Sequence, residues 1–134
     1  MTIHETQDKL IDHLFLFDNW TDRFNFLISE SENLPPQCPG QLLHHRIEGC
    51  QSQTCFHAYR NESCLIVEGW SNSPVMGGII VSIIKVFNLS KIDELKNADI
   101  YFHTKSGLVD NLTPMRRAAL EEIIRRISIL SRQT

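Results

Sequence analysis

Residues 75–89, VMGGIIVSIIKVFNL, are apolar on nearly every side of a helical projection. A helix without a polar face has no solvent side, so the rest of the chain must be built around it. Ser73-Pro74 supplies its start: a capping hydroxyl, then a proline in the first turn, where a missing N–H costs nothing. A membrane span needs about eighteen or more apolar residues, and Ser82 and Lys85 interrupt this shorter run. A buried central helix is expected.

Amphipathic segments are available to cover it. Over 6–18, Leu10, Ile11, Leu14, Phe15 and Phe17 recur at helical spacing between polar Asp8, Lys9, Asp12 and His13. Asn19 or Thr21 can cap a second helix with Trp20, Phe24, Leu27 and Ile28 inward, ending near Ser31 ahead of Leu34-Pro35-Pro36. Thr113-Pro114 repeats the cap-plus-proline signal before a stripe of Leu120, Ile123, Ile124, Ile127 and Leu130. Ser90-Lys91-Ile92-Asp93 reads as a capping box opening a short helix through Leu95, and 97–111 reads as irregular.

Between the second helix and the buried one, 54–60 and 63–68 form two β-prone runs separated by Asn61-Glu62, the pattern of a hairpin. Residues 42–47 are expected to be a short extended lead-in. Helices and strands do not alternate regularly, so the class is α+β: a small antiparallel sheet packed against helices. At 134 residues one domain, 1–134, suffices.

A net charge of −3 offers no general basic field for a nucleic-acid backbone. Arg116, Arg117, Arg125 and Arg126 cluster late in the chain. Glu121 and Glu122 stand four residues before Arg125 and Arg126, the pattern of a solvated helix face. Glu5 and Asp8 fall where a signal peptide would be apolar, so a cytoplasmic protein, neither exported nor membrane-bound, is expected.

Four cysteines, Cys38, Cys50, Cys55 and Cys64, are then expected to remain reduced. No C-x-x-C pair is present, and a zinc site would have to recruit His57, His44 or His45, so no metal is expected. Cys64 in CLIV reads as core, Cys38 in a proline-flanked loop as a thiol without a role, and Cys55 as strand core or a partner for Cys50 on oxidation. Cys50 is different. In EGCQSQTC it follows Gly49, whose conformational freedom lets backbone N–H groups turn toward a sulfur, while Gln51, Ser52 and Gln53 add neutral donors. A reactive thiol is expected there, working as its thiolate.

Gly49-Cys50-Gln51-Ser52-Gln53 resembles the active loop of the SufE-like sulfur-acceptor family. Asn19-Trp20, Leu34-Pro35-Pro36, the apolar helix after Ser71, and Leu112-Thr113-Pro114-Met115-Arg116 follow in the family's order. The resemblance implies a SufE/NifU-like topology and a sulfur carrier. Cys50 would take persulfide sulfur from a SufS-like cysteine desulfurase, stimulate that enzyme, and pass the sulfur to an iron–sulfur scaffold. It implies no cofactor on this chain, the pyridoxal phosphate belonging to the desulfurase, and no independent turnover; a homodimer is left open. It also implies that Arg116 favours the anionic sulfur. In three places the chain departs from the family. Trp70 and Asn72 stand beside Ser71 where acids are usual, and Cys55 replaces a tryptophan, bringing a second thiol that could resolve a Cys50 persulfide. Two rival readings are a metal or iron–sulfur scaffold using several cysteines, and a cysteine hydrolase pairing Cys50 with His57.

Overall fold

The computed structural model describes residues 1–49 and 52–132. Cys50 and Gln51, on which the central expectations fall, lie outside the described residues. The described chain is α+β: a two-stranded antiparallel sheet with helices on either side of it in sequence.

The buried helix forms as its composition demands. It is α3, Pro74–Phe87, with Ser73 as N-cap, its hydroxyl accepting from the Met76 N–H at 3.4 Å. Ten of its residues, Met76 to Ser82 together with Ile83, Val86 and Phe87, are buried. Lys85 reaches outward to Glu30 at 3.1 Å. Among the described residues no helix is long and apolar enough to cross a membrane.

Two helices precede it. The first, α1 (Ile3–Phe15), begins earlier than the apolar spacing suggests, because Thr2 and Glu5 make a reciprocal capping box. Its inward face is Ile3, Gln7, Ile11 and Leu14, and Phe15 is exposed. The second, α2 (Trp20–Glu30), is capped by Asn19, and Leu27 is its fully inward residue. It meets α3 at backbone distance: a Cβ on Gly78 would stand 1.8 Å from the Leu27 carbonyl oxygen.

The hairpin is β1 (Thr54–Asn61) and β2 (Cys64–Ser71), in a register that pairs Cys55 with Trp70, His57 with Glu68, and Asn61 with Cys64. Residues 62–63 make the turn, with Glu62 at a φ of 57°, so each strand is longer than the sequence pattern implied. Phe56, Leu65 and Val67 face the main core. Gly69 lets α3 come close, since a Cβ there would lie 2.8 Å from Ile80 Cγ2. The opposite face carries Cys55, His57 and Tyr59 opposite Trp70, Glu68 and Ile66.

Both hairpin edges are covered. Against β1, the Ile47 N–H donates to Thr54 O at 2.8 Å and the Phe56 N–H to His45 O at 2.9 Å. The expected extended segment 42–47 is thus corrected: Gly40–Leu42 is a 3₁₀ turn, and only 45–47 pairs with the sheet. Against β2, the Leu65 N–H donates to Ser90 O and the Ile92 N–H to Ser63 O, both at 2.8 Å. That pairing overturns the capping box at Ser90. With Ser90 held in the sheet edge, Lys91 becomes the N-cap of α4 (Ile92–Lys96), without a side-chain cap bond.

The segment expected to be irregular contains α5 (Phe102–Lys105) and a 3₁₀ turn at Val109–Asn111. Buried Gln7 organises it: its Nε2 donates to Asp99 O at 2.8 Å, and its Oε1 accepts from the N–H groups of Tyr101 and Phe102 at 2.8 and 3.1 Å. The last helix, α6 (Pro114–Leu130), packs Ala119, Leu120, Ile123 and Ile127 into the core and contacts β1.

The α2–α3 contact leaves no room for a side chain, so Gly78→Ala should destabilise the protein by about 3 kcal/mol or more in chemical denaturation. Gly40→Ala, where an added Cβ meets nothing within 4 Å, should stay within about 0.5 kcal/mol of wild type.

Candidate functional site: the stem of the cysteine loop

The cysteine loop, residues 48–53, leaves the sheet after Ile47 and returns at Thr54. These two residues are bonded across its base by the Ile47 N–H to Thr54 O contact. Ile47 is 1% exposed and Thr54 fully buried, so the stem is anchored in the interior while Glu48 and Gly49 are exposed. Gly49 has a φ of 84°, the left-handed region, and a Cβ on it would meet no atom within 4 Å. Glycine is needed there for backbone conformation rather than for space.

The returning limb is tied to the end of β2. The Gln53 N–H donates to Asn72 Oδ1, and the Asn72 N–H donates back to Gln53 O, both at 3.0 Å. Below them the Thr54 and Ser71 hydroxyls share a buried hydrogen bond of 2.9 Å, and Ser71 Oγ also accepts from the Ser73 N–H at 3.1 Å. The loop is therefore continuous, through hydrogen bonds, with the N-terminus of α3. Asn72 serves this tie. Trp70 donates its Nε1–H to Pro35 O at 2.8 Å and so fixes the proline turn beside the stem. A shallow depression between them is lined by Leu34, Pro35, Pro36, Trp70, Ser71 and Asn72.

Arg126 holds the other side. Its guanidinium donates to Phe56 O at 2.8 Å, to His45 O at 3.3 Å and to Arg46 O at 3.3 Å, bridging both chains that enter the stem. Its Nε–H donates to Glu122 at 2.9 Å. The solvated-face expectation is corrected for this arginine: one edge of the fork meets Glu122, and the other satisfies backbone carbonyls. Glu122 also binds Arg125 at 2.7 Å, while Glu121 pairs with Arg117 at 3.3 Å rather than with Arg125. Hydrogen bonds from Arg125, then from Arg126, hold the Glu122 carboxyl down at about 2 against partial desolvation.

His57 lies on the outer sheet face in a ring stack, 3.7 Å and 7° from His45 and 4.6 Å from Tyr59. Burial, followed by the neighbouring His45, lowers its pKa and favours the neutral ring. Cys55 is 1% exposed in a small apolar cluster with Leu42 and Trp70, against which Leu34 and Cys38 pack. Burial first, then the adjacent Cys38, pushes its thiol up to about 11. Cys64 pairs with Asn61 at the far end of the hairpin, so the three described cysteines do not converge. Among the described residues no three histidine, cysteine or carboxylate side chains are grouped to hold a metal. Ser52 and Gln53 are half-buried, and Arg116 is exposed in the first turn of α6, its N–H donating to Thr113 Oγ1 at 3.4 Å.

The fold and this loop define a known class. The chain belongs to the SufE family: the family model for the Fe-S metabolism associated domain matches residues 8–130. That ties it to iron–sulfur metabolism. An uncharacterized SufE-like protein of Rhizobium meliloti is 28% identical over 127 residues, covering 90% of each chain. Another from Haemophilus influenzae is 29% identical over 117 residues, covering 85% of this chain and 93% of its own. The solution structure of a hypothetical protein from Thermus thermophilus superposes with a TM-score of 0.72 at 18% identity, over 95% of this chain and 93% of that one. This likeness shows the shared fold.

Asn72→Ala removes the acceptor for the Gln53 N–H and should cost about 1 kcal/mol, with faster amide exchange at Gln53; Asn72→Asp, which keeps an acceptor, should restore most of the protection. For Glu122, the folded pKa lies below the ordinary value of 4.5, so its contribution is present above that value and lost as pH falls through about 2. Glu122→Gln should be less stable by about 1 kcal/mol at neutral pH, a value discounted for partial exposure. That difference should shrink in denaturation series taken down to about pH 2.

Proposed function

We propose that this protein is a sulfur carrier, and that Cys50 accepts persulfide sulfur from a cysteine desulfurase and delivers it to iron–sulfur cluster assembly. The family match across 8–130 carries this reading, because it takes in the Gly49-Cys50-Gln51-Ser52-Gln53 loop together with nearly the whole fold. The stem supports it: it is bonded across its base between Ile47 and Thr54, and Glu48 and Gly49, which lead to Cys50, are exposed, so a thiol there can meet a partner while the fold stays unchanged.

The transfer is a thiol–disulfide-type exchange. Cys50 thiolate attacks the outer sulfur of the desulfurase persulfide. The S–S bond of that persulfide breaks, the donor cysteine leaves as a thiolate, and a persulfide remains on Cys50, with no net oxidation. Gly49 frees the backbone to turn N–H groups toward the sulfur, and Gln51, Ser52 and Gln53 supply neutral donors. Arg116, in the first turn of α6, adds positive charge that favours the anion. Turnover belongs to the desulfurase and its pyridoxal phosphate; this chain supplies the acceptor.

Sulfide or alanine release by a cysteine desulfurase, measured with and without the protein, tests the reading. Wild type should accelerate release, and Cys50→Ser should return it to the carrier-free rate, whereas Cys64→Ser should behave as wild type. Arg116→Ala should slow loading by about threefold, the scale of one exposed charge. Equal acceleration by Cys50→Ser would overturn the proposal.

A further inference from the structure

Two thiols unused in this mechanism sit together under the loop stem. Cys55 is 1% exposed and is clamped in the sheet, bridged to Arg46 on one side and paired with Trp70 on the other. Cys38, on the proline turn, is half-buried and packs against the same cluster of Leu42, Cys55 and Trp70. That turn is held in place by the Trp70 indole on Pro35 O. A half-buried cysteine, its Sγ–H donating to Pro39 O at 3.5 Å, thus rests beside a fully buried one, on two segments whose separation is set by the fold. Cys64 has no such neighbour: it lies six register positions along the hairpin from Cys55, about 20 Å away.

We propose that Cys38 and Cys55 form a second, redox-active site, a dithiol that hydroperoxides convert to a disulfide independently of Cys50. The half-buried Cys38 meets the oxidant. Its sulfur attacks a peroxide oxygen, the O–O bond breaks, and Cys38 becomes a sulfenic acid as water or an alcohol departs. Cys55 sulfur then displaces hydroxide from the Cys38 sulfur. The Cys55 proton leaves with that hydroxide as water, and an S–S bond forms. The two electrons lost by the thiols are those gained by the peroxide. The raised pKa of Cys55 makes it the poorer first nucleophile, which leaves Cys38 to meet the oxidant. The product would staple the proline turn to β1 immediately below the cysteine loop.

The test uses the full chain carrying Cys50→Ser, which retains three of the four cysteines. Hydrogen peroxide is the probe, followed by thiol titration after denaturation and by non-reducing peptide mapping. Free thiols should fall from three to one, Cys64. A peptide linking Cys38 to Cys55 should appear with the loss of two hydrogens, and dithiothreitol should reverse both changes. Trp70 fluorescence should be quenched in the oxidised form and recover on reduction. In the wild-type chain the same Cys38–Cys55 bond should form, with Cys50, which shares the Cys55 peptide, still free to be alkylated. The proposal is overturned if Cys38 proceeds to sulfinic acid with Cys55 still alkylatable, or if the disulfide formed joins any other pair. None of these readings involves sulfur transfer, so failure here would leave the carrier function standing.

Discussion

The architecture depends on how closely α2 and α3 approach. Gly78 brings the α3 backbone against the Leu27 carbonyl, at a distance that no side chain could share, and Gly69 does the same between β2 and α3. A helix apolar on every side needs neighbours on every side, and these glycines let two of them approach its backbone closely. The N-terminus of α3 is thereby fixed, and with it the Ser71 and Ser73 hydroxyls and the tie from Asn72 to Gln53. The returning limb of the loop stem is thus tied to the most buried helix.

The loop stem is supported from both sides by unlike interactions. On the α3 side it is neutral: two hydroxyls and an amide. On the α6 side it is a charge-assisted fork, Arg126, oriented by Glu122 and spent on three carbonyls of the converging chains. One guanidinium thereby answers several carbonyls at once, and at His45 O it adds to the bond from the Phe56 N–H. This divides the labour of α6: its first turn presents Arg116 to solvent, and its last turns brace the strand entering the loop.

Much of this was legible in the sequence because it rests on local rules. The run 75–89 with Ser73-Pro74 predicts α3, spaced apolar residues with Thr113-Pro114 predict α6, and two runs of aromatic, Val, Ile or small apolar residues about a polar turn predict the hairpin. The errors arose where a residue answers a partner far away in the chain. Gln7 looks like one more polar residue on a surface helix, yet it is buried against Tyr101 and Phe102, more than ninety positions on. Arg126 follows a glutamate at helical spacing and reads as a surface pair; its carbonyl partners are 70 to 81 residues away. Ser90 carries a capping pattern that sheet pairing overrides. The Gly49-to-Gln53 loop was recognisable as a motif, but its anchorage through Asn72 was not, because that residue stands nineteen positions from Gln53 and meets it only through the hairpin. The neighbourhood of Cys38 and Cys55 was equally hidden, being a product of tertiary packing alone.

The central claim concerns where a transferred sulfur atom comes to rest. It is tested most directly by incubating the protein with a cysteine desulfurase and isotopically labelled cysteine, then mapping labelled sulfur peptide by peptide under conditions that preserve persulfides. The account predicts one added sulfur on Cys50, assigned by fragment ions that separate it from Cys55 within their shared peptide, and none on Cys38, Cys55 or Cys64. Label on one of those three with Cys50 bare, or no label bound while the enzyme turns over, would contradict it.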